Sequence, residues 1–291
     1  MNDTNGTTRT CGLIGNPVAH SISPVIHNHL AALSGINLVY VTFPVEKSAL
    51  HDAVKGAYAL DILGLNVTVP YKSDVIPELV DIDPLAKQIG AVNTLVRVDG
   101  GFKGYNTDMP GLYRAMCSDG VKVEGEKVLV LGAGGAARAN AFLLAYHHAS
   151  EIIIMNRTIQ KAQIIADAVK QAFPETAVKA MALNEFDKLS GNDYICIQAT
   201  SVGLHPNDED VVIADLAFYK KLKVGYDVIC NPVETKFMKL VKEAGGEAHN
   251  GLKMLLYQGI LAYELWNQCN ITEEDASFVF RKMKEAMGIH E

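Results

Sequence analysis

The chain has 291 residues, long enough for two domains and a sizeable core, with 49% hydrophobic and 20% charged residues and neither a repeat nor a low-complexity tract. A net charge of −7 with scattered basic residues speaks against a nucleic-acid partner and for a small-molecule one. Five cysteines, Cys11, Cys117, Cys196, Cys230 and Cys269, are odd in number and lack C-x-x-C spacing; they indicate neither a disulfide framework nor a zinc site and suit reduced thiols in a cytoplasm. The polar start is no secretory signal, no apolar run reaches membrane-spanning length, and disorder is expected only in the first ten residues.

In chain order the pattern predicts a strand at 11–14, a helix at 24–33, a strand at 38–43, a helix at about 47–58 and a strand at 62–69. That alternation favours a mostly parallel α/β sheet. Polar groups gather at the element ends. Ser21 and Ser23 precede the first helix, where Ser23 is placed to act as N-cap; two hydroxyls at that spacing also suit a carboxylate or diol. His20, His27 and His29 cluster nearby, but the last two point to different sides of a helix, so no metal is expected. Along the next polar run Asn66 and Thr68 share a strand face, Pro70 ends it, and Lys72 follows. Ala91-Val92-Asn93-Thr94 and Tyr105-Asn106-Thr107-Asp108 each follow a glycine on short turns and, taken alone, read as loops.

The chain breaks at about 107–111, where Asp108-Met109-Pro110-Gly111 starts a helix. An apolar strand then runs into Gly132-Ala133-Gly134-Gly135-Ala136-Ala137 and an alanine-rich helix, the strand-turn-helix setting in which backbone N–H groups receive a pyrophosphate. The next strand, 152–155, ends in Asn156-Arg157-Thr158 with no carboxylate for a ribose diol. Arg157, Thr158 and Lys161 instead suit a 2′-phosphate, favouring NADP over NAD; the alternative is an ordinary solvated surface. An apolar helix at 252–266 is expected to return to the first domain, and the two crossings predict a cleft between domains. The expected division is 1–108, completed by about 251–291, and a doubly wound dinucleotide-binding domain at 109–250.

His20-Ser21-x-Ser23-Pro24, Asn66-x-Thr68-x-Pro70-x-Lys72, Gly90-Ala91-x-Asn93-Thr94 and Gly104-Tyr105-Asn106-Thr107-Asp108 occur together and in order, followed by the glycine turn, Asn156-Arg157-Thr158 and Gly251-x-x-Met254-Leu255-x-x-Gln258. On these motifs the chain resembles the shikimate dehydrogenase family over nearly its whole length. The resemblance implies reduction of 3-dehydroshikimate to shikimate with NADPH on the route to aromatic amino acids, by a substrate domain and a Rossmann domain. It implies that Lys72 is the catalytic lysine and Asp108 its partner. Ser21 and Ser23 would hold the substrate carboxylate with Thr68, and Asn66, beside them; Asn93, Asp108 and Gln258 would read ring hydroxyls. Gly132, Ala133, Gly134, Gly135, Ala136, Asn156, Arg157, Thr158, Lys161, Val228 and Gly251 would hold the cofactor, the last two near the nicotinamide.

Cys230 departs from the pattern, because many relatives carry there a tyrosine that approaches the substrate, and Gln198 and Leu204 depart more mildly. The alternatives are a quinate/shikimate dehydrogenase, using NAD or NADP, and a noncatalytic metabolite- or nucleotide-sensing protein on the same fold. A cytoplasmic enzyme is expected, with a homodimer left open.

Overall fold

The computed structural model describes residues 4–289. Residues 1–3, where part of the disordered start was expected, lie outside the described residues. Residues from Asn5 onward are anchored: the Asn5 side chain accepts from Thr7 N and from Asn37 Nδ2, and the first strand begins at Arg9. The chain divides into two compact units, one up to Gly111 and again from Leu255 onward, the other Leu112–Met254. Both borders lie a few residues beyond the expected 108 and 250, and each falls inside a helix.

The first unit carries β1 (Arg9–Gly15), β2 (Leu38–Pro44), β3 (Gly64–Val67), β4 (Asp81–Ile82), β5 (Thr94–Val98) and β6 (Gly101–Tyr105), in the sheet order β2-β1-β3-β5-β6-β4. β1 pairs in parallel with β2 and β3, as an α/β alternation requires, through the helices α1 (Ser23–Leu33) and α2 (Leu50–Ala59). β3 is shorter than the predicted 62–69, and Pro70, which has no N–H to give a ladder, lies just beyond it. Past it β5 runs antiparallel to β3, Asp99-Gly100, with Gly100 at φ +80°, closes β5 and β6 into an antiparallel hairpin, and β4 pairs in parallel with β6 at the edge. The short helix α3 (Pro84–Ile89) precedes β5, and α4 (Asp108–Ser118) leaves the unit. Ile14, Leu65, Val67, Val92, Leu95 and Phe102 form its core.

The second unit is a six-stranded parallel sheet of β7 (Lys127–Leu131), β8 (Glu151–Asn156), β9 (Ala177–Ala182), β10 (Tyr194–Gln198), β11 (Leu222–Asp227) and β12 (Glu247–His249). Their order is β12-β11-β10-β7-β8-β9, with α5 (Gly135–Tyr146), α6 (Ile159–Ala172), α7 (Leu216–Tyr219) and α8 (Lys236–Glu243) as connections. This is the doubly wound Rossmann order, and its switch point lies between β7 and β10. Val128–Leu131 and Ile152–Met155 are completely buried, which is why these strands read as continuous apolar runs rather than alternating ones.

After α9 (Leu252–Asn267) the chain ends in α10 (Glu273–Ala286). From Leu255 on, α9 packs within the first unit: Trp266 Nε1 donates to Leu95 O at 2.9 Å, and Ser34 Oγ lies 2.6 Å from the Tyr263 hydroxyl. Gly64 makes room for it, since a Cβ there would fall 2.1 Å from Trp266 Nε1. Among the described residues no helix is long and apolar enough to cross a membrane.

Candidate active site

In the first unit, three sequence-predicted residues converge where β3 and β6 end and β5 begins. Lys72 Nζ lies 2.6 Å from Asp108 Oδ2, and Asn93 Nδ2 donates to the other carboxylate oxygen at 2.9 Å. The pair is partly exposed, with 33% of the lysine and 21% of the aspartate side chain reaching solvent, so the ammonium can meet a ligand. Backbone bonds fix the three positions relative to one another: Val92 N donates to Lys72 O, Asn93 N to Tyr105 O, and Val67 N to Asn93 O. Asn106 Oδ1 accepts from Asp108 N and Met109 N, so this turn aims Asp108 at the start of α4.

Behind that front lies a buried polar layer. Asn93 Oδ1 accepts from Thr107 N at 2.7 Å and from the Thr94 and Thr107 hydroxyls. Asn66, only 5% exposed, donates to Asn93 O and Thr94 Oγ1 and accepts from the Tyr40 hydroxyl. Three partners fix its amide, so it props Asn93 from behind, while half-buried Thr68 comes two residues later at the strand's end. Thr107 and Tyr40 were not singled out from the sequence. Thr107 sits inside a quoted motif, but Tyr40 lies in an apolar run and carries no local signal.

Ser23 opens α1 without capping it; instead the Ser21 hydroxyl accepts from Ser23 N at 3.2 Å and donates to Ser23 Oγ at 3.1 Å. The N-cap expectation for Ser23 therefore fails, and the two hydroxyls form a linked pair. Gln258 on α9 is 9% exposed and donates to Leu255 O. α4 reaches it because residue 111 is glycine: a Cβ there would stand 2.7 Å from Gln258 N.

In the second unit, a cavity of about 350 Å³ is lined by Gly132, Ala133, Gly134, Asn156, Arg157, Thr158 and Lys161, with Ala199, Thr200 and Ser201 opposite. Gly132 sits at φ +112°, and a Cβ on it would press on Thr200 Cγ2 at 2.8 Å, so glycine is required there. Gly134, by contrast, faces open space at the start of α5, where N–H groups await an acceptor. Gly135 and Ala136 belong to the first turn of α5 and do not line this cavity. An open glycine cradle beside a guanidinium and an ammonium fits a dinucleotide bearing an extra phosphate. Thr200 and Ser201 carry no local signal of this role; the fold brings them to the cavity beside Gly132.

Val228 and Gly251 meet in this unit, for a Cβ on Gly251 would fall 2.4 Å from Val228 O and 3.0 Å from Cys230 Sγ. They are steered by Asp227, fully buried at the end of β11, which accepts from Ile229 N at 3.0 Å and Thr235 Oγ1 at 2.7 Å. Burial raises its carboxyl to about 6, against the pull of those bonds. Burial likewise pushes the Cys230 thiol up to about 12, so it is a neutral, weakly polar group. Gln198, the mild departure, takes Thr200 N and Oγ1 on its Oε1 at 2.7 Å and shapes the loop that lines the cavity. Among the described residues no group of three or more His, Cys, Asp or Glu side chains is placed to hold a metal ion.

Residues 13–95 match the family model for the shikimate dehydrogenase substrate binding domain, and residues 116–215 that for shikimate / quinate 5-dehydrogenase. A shikimate dehydrogenase (NADP(+)) of Bacillus cereus is 42% identical over 94% of this chain and 98% of its own length. The shikimate 5-dehydrogenase of Listeria monocytogenes, solved with shikimate and NAD, is 30% identical with a TM-score of 0.88, covering 99% of each chain. That of Thermus thermophilus, solved with NADP(H) and shikimate, is 30% identical with a TM-score of 0.83, covering 95% of this chain and 100% of its own. A lysine–aspartate pair among amides and hydroxyls in one unit, and a glycine cradle with two cations in the other, define an oxidoreductase that uses a nicotinamide dinucleotide. The chain belongs to the shikimate dehydrogenase family.

Proposed function

We propose that the chain catalyses the reversible, NADP-dependent reduction of 3-dehydroshikimate to shikimate. The observation that carries this reading is the Lys72–Asp108 pair, held at 2.6 Å, with Asn93 on the second carboxylate oxygen. NADP, when bound, supplies or accepts the hydride. As negative charge grows on the substrate ketone oxygen, the Lys72 ammonium stabilises it by a hydrogen bond and delivers the proton; in the oxidative direction the amine takes the hydroxyl proton back. Asp108 orients Lys72 and accepts from a ring hydroxyl. Ser21 and Ser23 take the substrate carboxylate with Thr68, and Asn93 and Gln258 read the remaining hydroxyls. Neutral donors suit this work, because a buried ring hydroxyl left unpartnered costs roughly 1–3 kcal/mol, enough to separate similar cyclohexane acids.

For the cofactor, the glycine turn would receive the pyrophosphate, Arg157, Thr158 and Lys161 the 2′-phosphate, and Val228 and Gly251 would lie at the nicotinamide. Asn66 serves in this reading as a support for Asn93. The same reading carries a cytoplasmic location, where a small acid and reduced cofactor are both free in solution; whether the enzyme is a homodimer is a question for sedimentation velocity.

One observation favours a wider substrate range. Cys230 is shorter than the tyrosine expected there and a far weaker donor, so a saturated ring such as quinate meets less discrimination. Absorbance at the reduced-nicotinamide band, with shikimate or quinate and NADP or NAD, tests both readings. Rapid turnover with shikimate and NADP alone supports the first, comparable rates with quinate the second, and no turnover with any pair rejects both.

A further inference from the structure

The two groups assigned to the substrate in the first unit, the Ser21–Ser23 hydroxyls at the start of α1 and the Asn93–Asp108–Lys72 cluster, stand on different elements. A buried tyrosine lies between α1 and that cluster. Tyr40, in the middle of β2, is 1% exposed, and its hydroxyl donates to Asn66 Oδ1 at 2.8 Å. Ser23 stands at the start of α1, and the same helix holds Tyr40 through Asn28 and His27. From Asn66 the chain of bonds runs through Asn93 O and Thr94 Oγ1, then from Asn93 Nδ2 to Asp108, and so to Lys72.

Tyr40 is itself held on every side. Asn28 of α1 clamps its backbone, accepting from Tyr40 N at 2.8 Å and donating to Tyr40 O at 3.0 Å. His27, one residue earlier on α1, stacks on the phenol at 4.2 Å between ring centres and 12° between planes. Trp266 approaches to 6.1 Å. A tyrosine wanted only for bulk needs no bond at its hydroxyl, and burial keeps that phenol protonated as a donor.

We propose that the Tyr40 hydroxyl is a positioning group: with Tyr40 clamped to α1, which carries Ser23, its bond to Asn66 locks that helix to the Asn66–Asn93–Asp108–Lys72 chain, so that carboxylate grip and proton donor keep one fixed spacing. The proposal rests on the function inferred above. It makes Tyr40 important for turnover although it touches neither substrate nor cofactor, because reacting groups displaced by about 1 Å lose roughly 100-fold in rate.

The test is Tyr40→Phe, which keeps the ring and its stack and removes one oxygen. The expected result is a fall of about 10- to 100-fold in kcat/KM for shikimate, most of it in kcat, with the KM for NADP unchanged. Asn66→Ala cuts the same link at its other end, so the double variant should be within about threefold of the worse single one, as for two steps of one path. 4-Aminophenylalanine placed at position 40, which restores a donor, should recover part of the rate. A lowered Tm with unchanged kcat and KM in Tyr40→Phe would reduce Tyr40 to a structural residue and overturn the proposal, as would fully additive losses in the double variant. If Tyr40→Phe does not fold, Asn66→Ala carries the same two kinetic outcomes. Wild-type protein inactive on shikimate would instead reject the function itself, whereas an active wild type with an unaffected Tyr40→Phe rejects only the role of Tyr40.

Discussion

Lys72 Nζ and Asp108 Oδ2, 36 positions apart in the chain, lie 2.6 Å from each other at the end of the first sheet. The backbone bond from Val92 N to Lys72 O and the amide bond from Asn93 to Asp108 bring both partners to one place, from a loop and from the first turn of α4. If Lys72 is the proton donor proposed above, an ammonium held this way needs little reorganisation when charge develops beside it.

Removing the ammonium should therefore remove the proton transfer and little else. Lys72→Ala is expected to lower kcat by about 10²- to 10⁴-fold, the usual worth of a positioned acid or base. Affinity for NADP, read by quenching or enhancement of reduced-cofactor fluorescence, should stay near wild type, because the cradle belongs to the other unit. Turnover that survives the substitution would take Lys72 out of the mechanism. Asp108→Asn should lower kcat and raise the KM for shikimate together, since it frees the lysine and weakens a hydroxyl contact.

In the proposed reading cofactor choice rests on Arg157, which lines the cavity with Thr158 and Lys161. A hydrogen bond to a charged group contributes about 1.5–3 kcal/mol, so Arg157→Ala should raise the KM for NADP by roughly 10- to 100-fold. The KM for NAD should move little. Equal losses with both cofactors in steady-state assays would mean that Arg157 supports the loop rather than the phosphate.

The parts of the molecule that were legible in the sequence are those governed by local pattern. Four apolar residues and a glycine turn give β7 and the start of α5, because strand burial and phosphate binding both leave a contiguous signature. The β5–β6 hairpin went unread, although Asp99-Gly100 is its turn, since the preceding alternation favoured parallel pairing. Lys72, Asn93 and Asp108 were visible through spaced motifs. Tyr40 and Thr200 were not, because their partners Asn66 and Gly132 lie 26 and 68 positions away and only the fold reveals them. The serine pair is legible only in part, because local composition shows two hydroxyls before a helix but not that Ser23 caps nothing by its side chain.

Asp227 should make the second unit less stable as pH rises. Its carboxyl titrates at about 6 in the fold against an ordinary value near 3.8, so between those values the folded chain holds a proton that the unfolded chain has lost. The contribution is complete below 3.8 and disappears as pH climbs through 6; it amounts to a few kcal/mol in order of magnitude. Asp227→Asn keeps the shape without the charge. Urea unfolding at pH 4 and pH 7 should show the variant gaining on wild type at the higher pH, and a constant difference would contradict the shift.

His27 should act with the opposite sign. It is fully buried in an aromatic box formed with Tyr40, Tyr263 and Trp266, and neither ring nitrogen has a hydrogen-bond partner. Burial lowers its pKa from 6.5 to about 3, with the Asn66 side chain opposing only weakly. The folded chain thus keeps the ring neutral while the unfolded chain takes up a proton below pH 6.5. Its stabilising contribution is whole above 6.5 and is lost as pH falls toward 3, by several kcal/mol in order of magnitude. Acid also removes contributions from carboxylates held low by lysines, such as Glu185 and Glu234, so the useful quantity is the difference between two proteins. His27→Phe retains the stack and has nothing to protonate; any packing cost it carries is the same at every pH. Denaturant unfolding between pH 4 and 7 should therefore give a shallower loss of stability for the variant, while parallel curves would mean that His27 is protonated in the fold as readily as in the unfolded chain.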